Sequence, residues 1–217
     1  MSSRVTVAGV LAGLLASATL PGLVCAQEGQ GNVDRGRQLA YTCYGCHGIS
    51  NYKNVYPTYS VPKLQGQHPA YLALALAGYK SGERGHSTMH AQAATMSEQD
   101  MKDIGAFLAG EALKPAEQPP GKGIGQLPKK AEQLCVSCHG ADGVGISAEI
   151  PSLAGQHADY LERTLLDYKN GGRRNPVMAG FVTDLSETEI RELAKYYAQQ
   201  RPSLSTAEHA NWFAQKE

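Results

Sequence analysis

The chain has 217 residues, with 20 basic and 20 acidic side chains and a formal net charge of zero. Its length suits one large domain or two small ones. The balanced charge excludes the basic stripe of a nucleic-acid-binding protein and the acidic tail of a disordered one, so we expect no nucleic-acid partner.

The first 26 residues have the pattern of a secretory signal peptide. Arg4 is their one charged residue, an apolar run covers residues 5–20, and Ala26 is a small residue suited to precede a cleavage site. An uncleaved membrane anchor is the alternative, but the run is shorter than the roughly 20 residues that a span needs. We expect residues 1–26 to be removed together with Cys25, which leaves an exported protein that is soluble or peripheral.

Two motifs in the remaining chain have the form Cys-x-x-Cys-His. Their residues are Cys43, Cys46 and His47 in the first, and Cys135, Cys138 and His139 in the second. Two thiols on one helical turn can form thioethers with the haem vinyl groups, and the histidine then lies under the iron as proximal ligand. The alternatives are two disulfides, a thioredoxin-like dithiol and a zinc site. The sequence has no βαβ pattern for a thioredoxin-like dithiol, zinc would need further ligands, and disulfides would not explain the two histidines. The motifs therefore favour two covalently attached haem c groups.

The sequence contains a long internal repeat. Residues 62–68 and 151–157 match at an offset of 89, and the match continues through Met89 and Met178. Between the copies, residues 113–130 are rich in proline and glycine, which cannot continue a helix or a central strand. The sequence therefore predicts two tandem domains, residues 27–112 and 131–217, joined by a linker of some stiffness.

Within each copy the pattern is helical, so we expect an all-α fold. Asp34 is predicted to cap the helix that leads to the first motif. Pro69 suits the first turn of a second helix, which Gly82 ends. Ser97 and Asp100 resemble a capping box at the start of a third, and the second copy repeats this box.

Methionine is the candidate for the sixth iron ligand. Met96 and Met101 suit positions N′ and N4 at the start of the third helix, where two apolar side chains form a hydrophobic staple. They therefore have a structural explanation. Met89 and Met178 are shared by both copies and are predicted to lie in loops after the second helix. A thioether would occupy the sixth coordination position of the iron and raise its reduction potential. His90 is the alternative ligand for the first haem.

Two further recurring pairs are candidates for contacts with the haem propionates. Carboxylates buried with a haem need cationic or hydroxyl donors. Arg84 and Arg173, and Tyr79 and Tyr168, recur close to the methionines. The alternative is ordinary surface charge and aromatic packing.

These motifs together resemble the dihaem cytochrome c4 family. The resemblance rests on the two Cys-x-x-Cys-His-Gly motifs, the repeated Pro-x-Leu-x-Gly-Gln-His-x-x-Tyr-Leu and the Tyr-Lys-x-Gly-x-Arg segments before each methionine. It implies tandem class I cytochrome c domains, histidine–methionine ligation and a periplasmic location, often with loose membrane association. The loop after the first motif, residues 51–59, is longer than the compact pattern of the family. The positions that match the two haem sites are Cys43, Cys46, His47 and Met89, and Cys135, Cys138, His139 and Met178.

The resemblance also implies a function. We expect a non-enzymatic electron carrier between a quinol-oxidising complex and a terminal oxidase or reductase, with other redox proteins as partners. One alternative is a haem enzyme such as a dihaem peroxidase, which needs an accessible iron position. The other is the electron-accepting cytochrome subunit of a periplasmic dehydrogenase.

Overall fold

A computed structural model describes residues 31–110, 123–201 and 203–206. The predicted signal peptide and the linker up to residue 122 lie outside the described residues. Inside them the regular structure is helical, and strand-like pairing is confined to three isolated bridges. The predicted all-α fold is therefore confirmed. No helix of these ranges is both long enough and apolar enough to cross a membrane.

The first copy is built on two helix contacts. Its helices are α1 Val33–Leu39, α2 Tyr44–His47, α3 Pro69–Ser81, α4 Ser87–Ala93 and α5 Glu98–Ala109, with a 3-10 turn at Tyr41–Cys43. Helix α5 packs against both α1 and α3. Both contacts are close enough to require glycine, because a Cβ on Gly36 would lie 2.0 Å from the Asp103 carbonyl oxygen and one on Gly105 would lie 2.6 Å from that of Pro69.

The ends of these helices follow the sequence with one exception. Pro69 occupies the first turn of α3, Gly82 ends it with φ 76°, and the Ser97 capping box is present. The prediction that Asp34 caps α1 is wrong, because the Asn32 side chain accepts from the Arg35 N–H at 2.9 Å. The Asn32 backbone N–H in turn donates to the Asp103 carboxylate at 2.7 Å, so a contact between helices decides where α1 begins.

The second copy repeats this plan with a different core. Its helices are α6 Lys129–Leu134, α7 Val136–His139, α8 Ala158–Lys169, α9 Pro176–Val182 and α10 Glu187–Ala198. Helix α10 begins with the expected capping box between Ser186 and Glu189 and packs against α8 and α6. Ile190 and Leu193 are fully buried in its core.

The two copies meet through pairs of contacts that are related by a pseudo-two-fold axis. Arg84 and Arg173, which are equivalent in the repeat, form an antiparallel bridge. Gly85 N–H donates to the Gly172 carbonyl at 2.7 Å. The equivalent bond, from Arg174 N–H to the Glu83 carbonyl, has the same length of 2.7 Å. The duplication is therefore visible in the domain contact as well as in each domain.

Candidate haem sites

Each motif histidine ends a short helix, and a backbone carbonyl orients its ring. His47 Nδ1 lies 2.9 Å from the Pro62 carbonyl oxygen, and His139 Nδ1 lies 2.9 Å from that of Pro151. A carbonyl only accepts, so Nδ1 carries the proton and Nε2 keeps the lone pair with which a histidine can bind a metal. Burial lowers the pKa of both rings. The neutral imidazole that iron requires is therefore the favoured form.

The motif cysteines lack the character of redox thiols. All four are free and partly buried. Burial raises the pKa of Cys43, and it raises the pKa of Cys135 to about 11. A thioredoxin-like dithiol needs a lowered pKa instead. A zinc site would need three or more ligating side chains together, and the described ranges contain no such group of His, Cys, Asp and Glu.

The proximal side of the first site is a small, mostly apolar cavity. His47 lines it together with Tyr44, Leu64, Gln65 and Leu108. Apolar side chains around a metal ligand keep water away from the metal and affect its potential.

The two shared methionines lie in short helices, and the prediction that they lie in loops is wrong. Met89 is in α4 and Met178 is in α9. Each helix is started by a side chain that accepts from the methionine N–H, His86 Nδ1 at 3.3 Å and Asn175 Oδ1 at 3.0 Å. These two caps occupy equivalent positions of the repeat but differ in residue type. Their different chemistry concealed the relation in the sequence.

Packing distinguishes Met89 from its neighbour His90. Met89 packs against the buried core of the first domain, as Cys43 does. His90 is exposed, and its Nδ1 lies 2.8 Å from the Tyr79 carbonyl oxygen. Of the two candidates in the first domain, the methionine is therefore the one that packs against the core.

The recurring arginines and tyrosines come together in one cluster where the two domains meet. Arg84 donates to the Tyr71 hydroxyl at 3.0 Å, and Arg173 donates to that of Tyr160 at 3.1 Å. Each guanidinium also stacks on two rings at 5.2–5.7 Å: Arg84 on Tyr71 and Tyr79, Arg173 on Tyr160 and Tyr168. Sequence reasoning left Tyr71 and Tyr160 without a role, although their recurrence was a signal for one.

This cluster holds positive charge without a negative partner. Arg173 is 6% exposed, and its Nη1 has no hydrogen-bond partner. No ion pair among the described residues involves Arg84 or Arg173. An unpaired buried charge is costly, so the site calls for an anion. Haem propionates are carboxylates, and the cluster together with the thiols and imidazoles therefore fits haem.

Two family models match the chain in tandem. Residues 33–111 match the cytochrome c family, and residues 127–196 match the family described as cytochrome c oxidase, cbb3-type, subunit III. Two helical cytochrome c domains, each with its own attachment motif, define a dihaem c-type cytochrome. The protein binds two haem c groups and is an electron-transfer protein.

Individual relatives identify the family. The chain is 32% identical over 199 residues to cytochrome c4 of Pseudomonas aeruginosa, covering 86% of this chain and 96% of the relative. The crystal structure of reduced recombinant cytochrome c4 from Pseudomonas stutzeri superposes with a TM-score of 0.62 at 29% identity, covering 79% of this chain and 100% of that one. The chain belongs to the cytochrome c4 family. It is also 30% identical over 172 residues to a thiosulfate dehydrogenase electron acceptor of Stutzerimonas stutzeri, covering 73% of this chain and 79% of the relative.

Proposed function

We propose that the protein is a periplasmic electron carrier between a quinol-oxidising complex and a terminal oxidase or reductase. Residues 1–26 are its signal peptide, and residues 27–112 and 131–217 are its haem domains. The predicted linker 113–130 joins them, although helix α6 of the second domain already begins inside it, at Lys129. Any membrane association is peripheral. The family membership and the export pattern at the N-terminus support this proposal.

Each haem has the same set of ligands in this proposal. The motif cysteines form the thioethers, the motif histidines bind iron through Nε2, and Met89 and Met178 close the other side. When bound, the haem iron supplies one-electron redox chemistry. The protein orients the ligands, excludes water and compensates the propionate charge.

The paired arginines carry this proposal. Arg84 and Arg173 lie side by side at the contact between the domains, and neither has a carboxylate partner among the described residues. They would hold propionates of both haems in one place, as a carrier that passes electrons between its own haems requires. A carrier also needs both irons to have their sixth coordination position filled, and Met89 and Met178 would fill it.

Replacing Arg173 tests this role. Arg173→Gln should lower the potential of at least one haem, because a cation beside a propionate favours the reduced, less positive iron. Arg174→Gln is the matched control, since Arg174 is the next residue and is exposed. Redox potentiometry on both holoproteins should show a shift for Arg173→Gln alone. Equal potentials in the two variants would mean that the propionates do not lie in this cluster.

Carbon monoxide separates the carrier from a haem enzyme. With both irons closed by methionine, the reduced holoprotein should not bind carbon monoxide under native conditions. Tight binding at either iron without denaturant would contradict the carrier and favour an enzyme such as a dihaem peroxidase.

A second candidate function is the electron-accepting subunit of a periplasmic dehydrogenase. The likeness to a thiosulfate dehydrogenase electron acceptor favours it. Purification of the native protein through high salt distinguishes the two. A free carrier elutes alone, whereas co-elution with a flavoprotein or quinoprotein chain would favour the subunit.

A further inference from the structure

Two buried glutamines, one from each domain, bind the backbone of the opposite domain in the same way. Gln156 Oε1 accepts from the Lys63 N–H at 3.0 Å, and its Nε2 donates to the Lys63 carbonyl at 3.0 Å. Gln67 makes the same two bonds, each 3.0 Å long, to the backbone of Ser152. Gln67 and Gln156 are equivalent in the repeat and are 6% and 5% exposed. The two interactions are therefore related by the pseudo-two-fold axis.

The peptide groups that these glutamines bind are the ones that orient the proximal histidines. The Lys63 N–H belongs to the same peptide unit as the Pro62 carbonyl, which accepts from His47 Nδ1 at 2.9 Å. A continuous chain of hydrogen bonds thus runs from Gln156 in the second domain to His47 in the first. The mirror chain runs from Gln67 through the Pro151–Ser152 peptide to His139, whose Nδ1 lies 2.9 Å from the Pro151 carbonyl oxygen.

We propose that Gln156 and Gln67 are positioning residues, each of which tunes the haem of the other domain. This inference rests on the proposed ligation by His47 and His139. The two glutamines lie at the contact between the domains and belong to neither haem motif.

The physical basis is the polarisation of the shared peptide. When the glutamine accepts a hydrogen bond from the peptide N–H, the carbonyl of the same peptide becomes a stronger acceptor, by about 10–30% per bond in a chain of such bonds. A stronger acceptor at Nδ1 makes the imidazole a more basic ligand. A more basic ligand stabilises ferric iron and lowers the potential. Removing Gln156 should therefore raise the potential of the first haem, and removing Gln67 should raise that of the second.

The test uses Gln156→Leu and Gln67→Leu, which retain most of the side-chain volume. Each variant loses both hydrogen bonds across the domain contact and also the bond that the glutamine accepts from the following backbone N–H, that of His157 at 3.1 Å or of His68 at 3.0 Å. The measurement is potentiometry on the holoprotein, with the paramagnetically shifted NMR signals of each haem followed separately. At a fixed ambient potential, Gln156→Leu should shift the reduced-to-oxidised ratio of the first haem upward by up to about two-fold, the scale of 10–30% of one hydrogen bond. Gln67→Leu should do the same to the second haem.

A second readout reports on the hydrogen bond itself. In the reduced protein, the His47 Nδ1–H resonance should move to lower chemical shift in Gln156→Leu and stay unchanged in Gln67→Leu. The His139 resonance should show the opposite pattern. If the glutamines had a purely structural role, each variant would not change only the histidine resonance of the opposite domain.

Lys53→Gln is the control for a general loosening of the domain contact. Lys53 pairs with Asp159 of the other domain at 3.3 Å and touches neither peptide, so its loss should leave both potentials unchanged. The inference is overturned if each leucine variant shifts the haem of its own domain, shifts both haems equally or shifts neither. A wild-type spectrum without the methionine–iron charge-transfer band would instead contradict the proposed function.

Discussion

The two domains bind the same cofactor on the same fold but attach their first helix differently. In the first domain, Gly36 lets α1 cross α5 closely, and Arg35 forms ion pairs with Asp100 and Asp103. In the second, the corresponding ion pair is a single contact of 3.7 Å between Lys130 and Glu189.

In the second domain, tyrosine hydroxyl groups hold the last helix to the segment that follows the motif. The hydroxyl groups of Tyr196 and Tyr197 on α10 donate to the carbonyls of Ala141 and Gly140 at 2.6 and 3.3 Å. Both tyrosines are buried, and both carbonyls lie directly after the attachment motif. The two domains therefore hold their last helix through different polar contacts, ion pairs in the first and tyrosine hydroxyl groups in the second, so they should respond differently to the same perturbation.

The largest expected effect concerns the iron ligands, where the domains should behave alike and independently. Met89→Ala and Met178→Ala should each abolish the methionine–iron charge-transfer band of one haem, about half of the total intensity, and lower that haem's potential. Optical spectra and potentiometry measure both effects. His90→Ala is the control for the first haem and should leave the band intact. An unchanged spectrum in both methionine variants would refute the ligand assignment.

The next effect should distinguish the domains by stability. Asp103 is 1% exposed and accepts from the Asn32 N–H and from Gln99 Nε2, each at 2.7 Å, as well as from Arg35. Asp103→Ala takes the acceptor from the Asn32 N–H and the Gln99 amide and one of the two ion pairs from Arg35, and should destabilise the first domain by about 2–4 kcal/mol. Denaturant unfolding, followed through the absorbance of each haem, measures the loss.

Glu192 provides the matched control for Asp103. It occupies the equivalent position of the repeat but is exposed. Glu192→Ala should therefore change the free energy of unfolding by no more than about 0.5 kcal/mol. An equal loss in the two variants would mean that the domains are fastened in the same way.

A smaller effect should appear in acid. The Ser97 backbone N–H and hydroxyl, and then Arg35, lower the pKa of Asp100 from 3.8 to about 2. A carboxylate with a lowered pKa stabilises the folded state above its ordinary pKa, and the stabilisation is lost as the pH falls through its folded value. The first domain should therefore lose stability between about pH 4 and pH 2.

Asp100→Asn tests the origin of that loss. The variant should be less stable than the wild type at neutral pH, and its stability should vary less between pH 4 and pH 2. Circular dichroism during acid titration, combined with the absorbance of the first haem, measures both. An acid transition in Asp100→Asn as steep as in the wild type would assign the pH dependence to other groups.

The smallest effect concerns the caps before the two methionines. His86→Ala and Asn175→Ala each remove the side chain that starts α4 or α9, and each should cost about 1 kcal/mol. The temperature at which the charge-transfer band disappears should fall for the haem of the altered domain. His86→Asn, which gives the first domain the cap of the second, should keep that temperature at its wild-type value. A lower temperature in His86→Asn would mean that His86 does more than cap α4.

Local features of this fold could be predicted from the sequence because their causes lie within a few residues. Pro69 and Gly82 bound α3, and Ser97 with Asp100 starts α5, through contacts inside one helical turn. The start of α1 could not be predicted, because Asn32 is also held by Asp103, which is distant in the chain. The short helices around the methionines were missed because each depends on one capping side chain, and the two caps differ in residue type.

The sequence by itself determined the chemistry that depends on close neighbours. The spacing within Cys43, Cys46 and His47, repeated in the second copy, predicted haem attachment there, and the repeat selected Met89 and Met178 among the methionines as candidate ligands. Only the tertiary structure placed Arg84 against Arg173 and brought Gln156 to the peptide that orients His47. These contacts join residues about 90 positions apart, and packing of one whole domain against the other creates them.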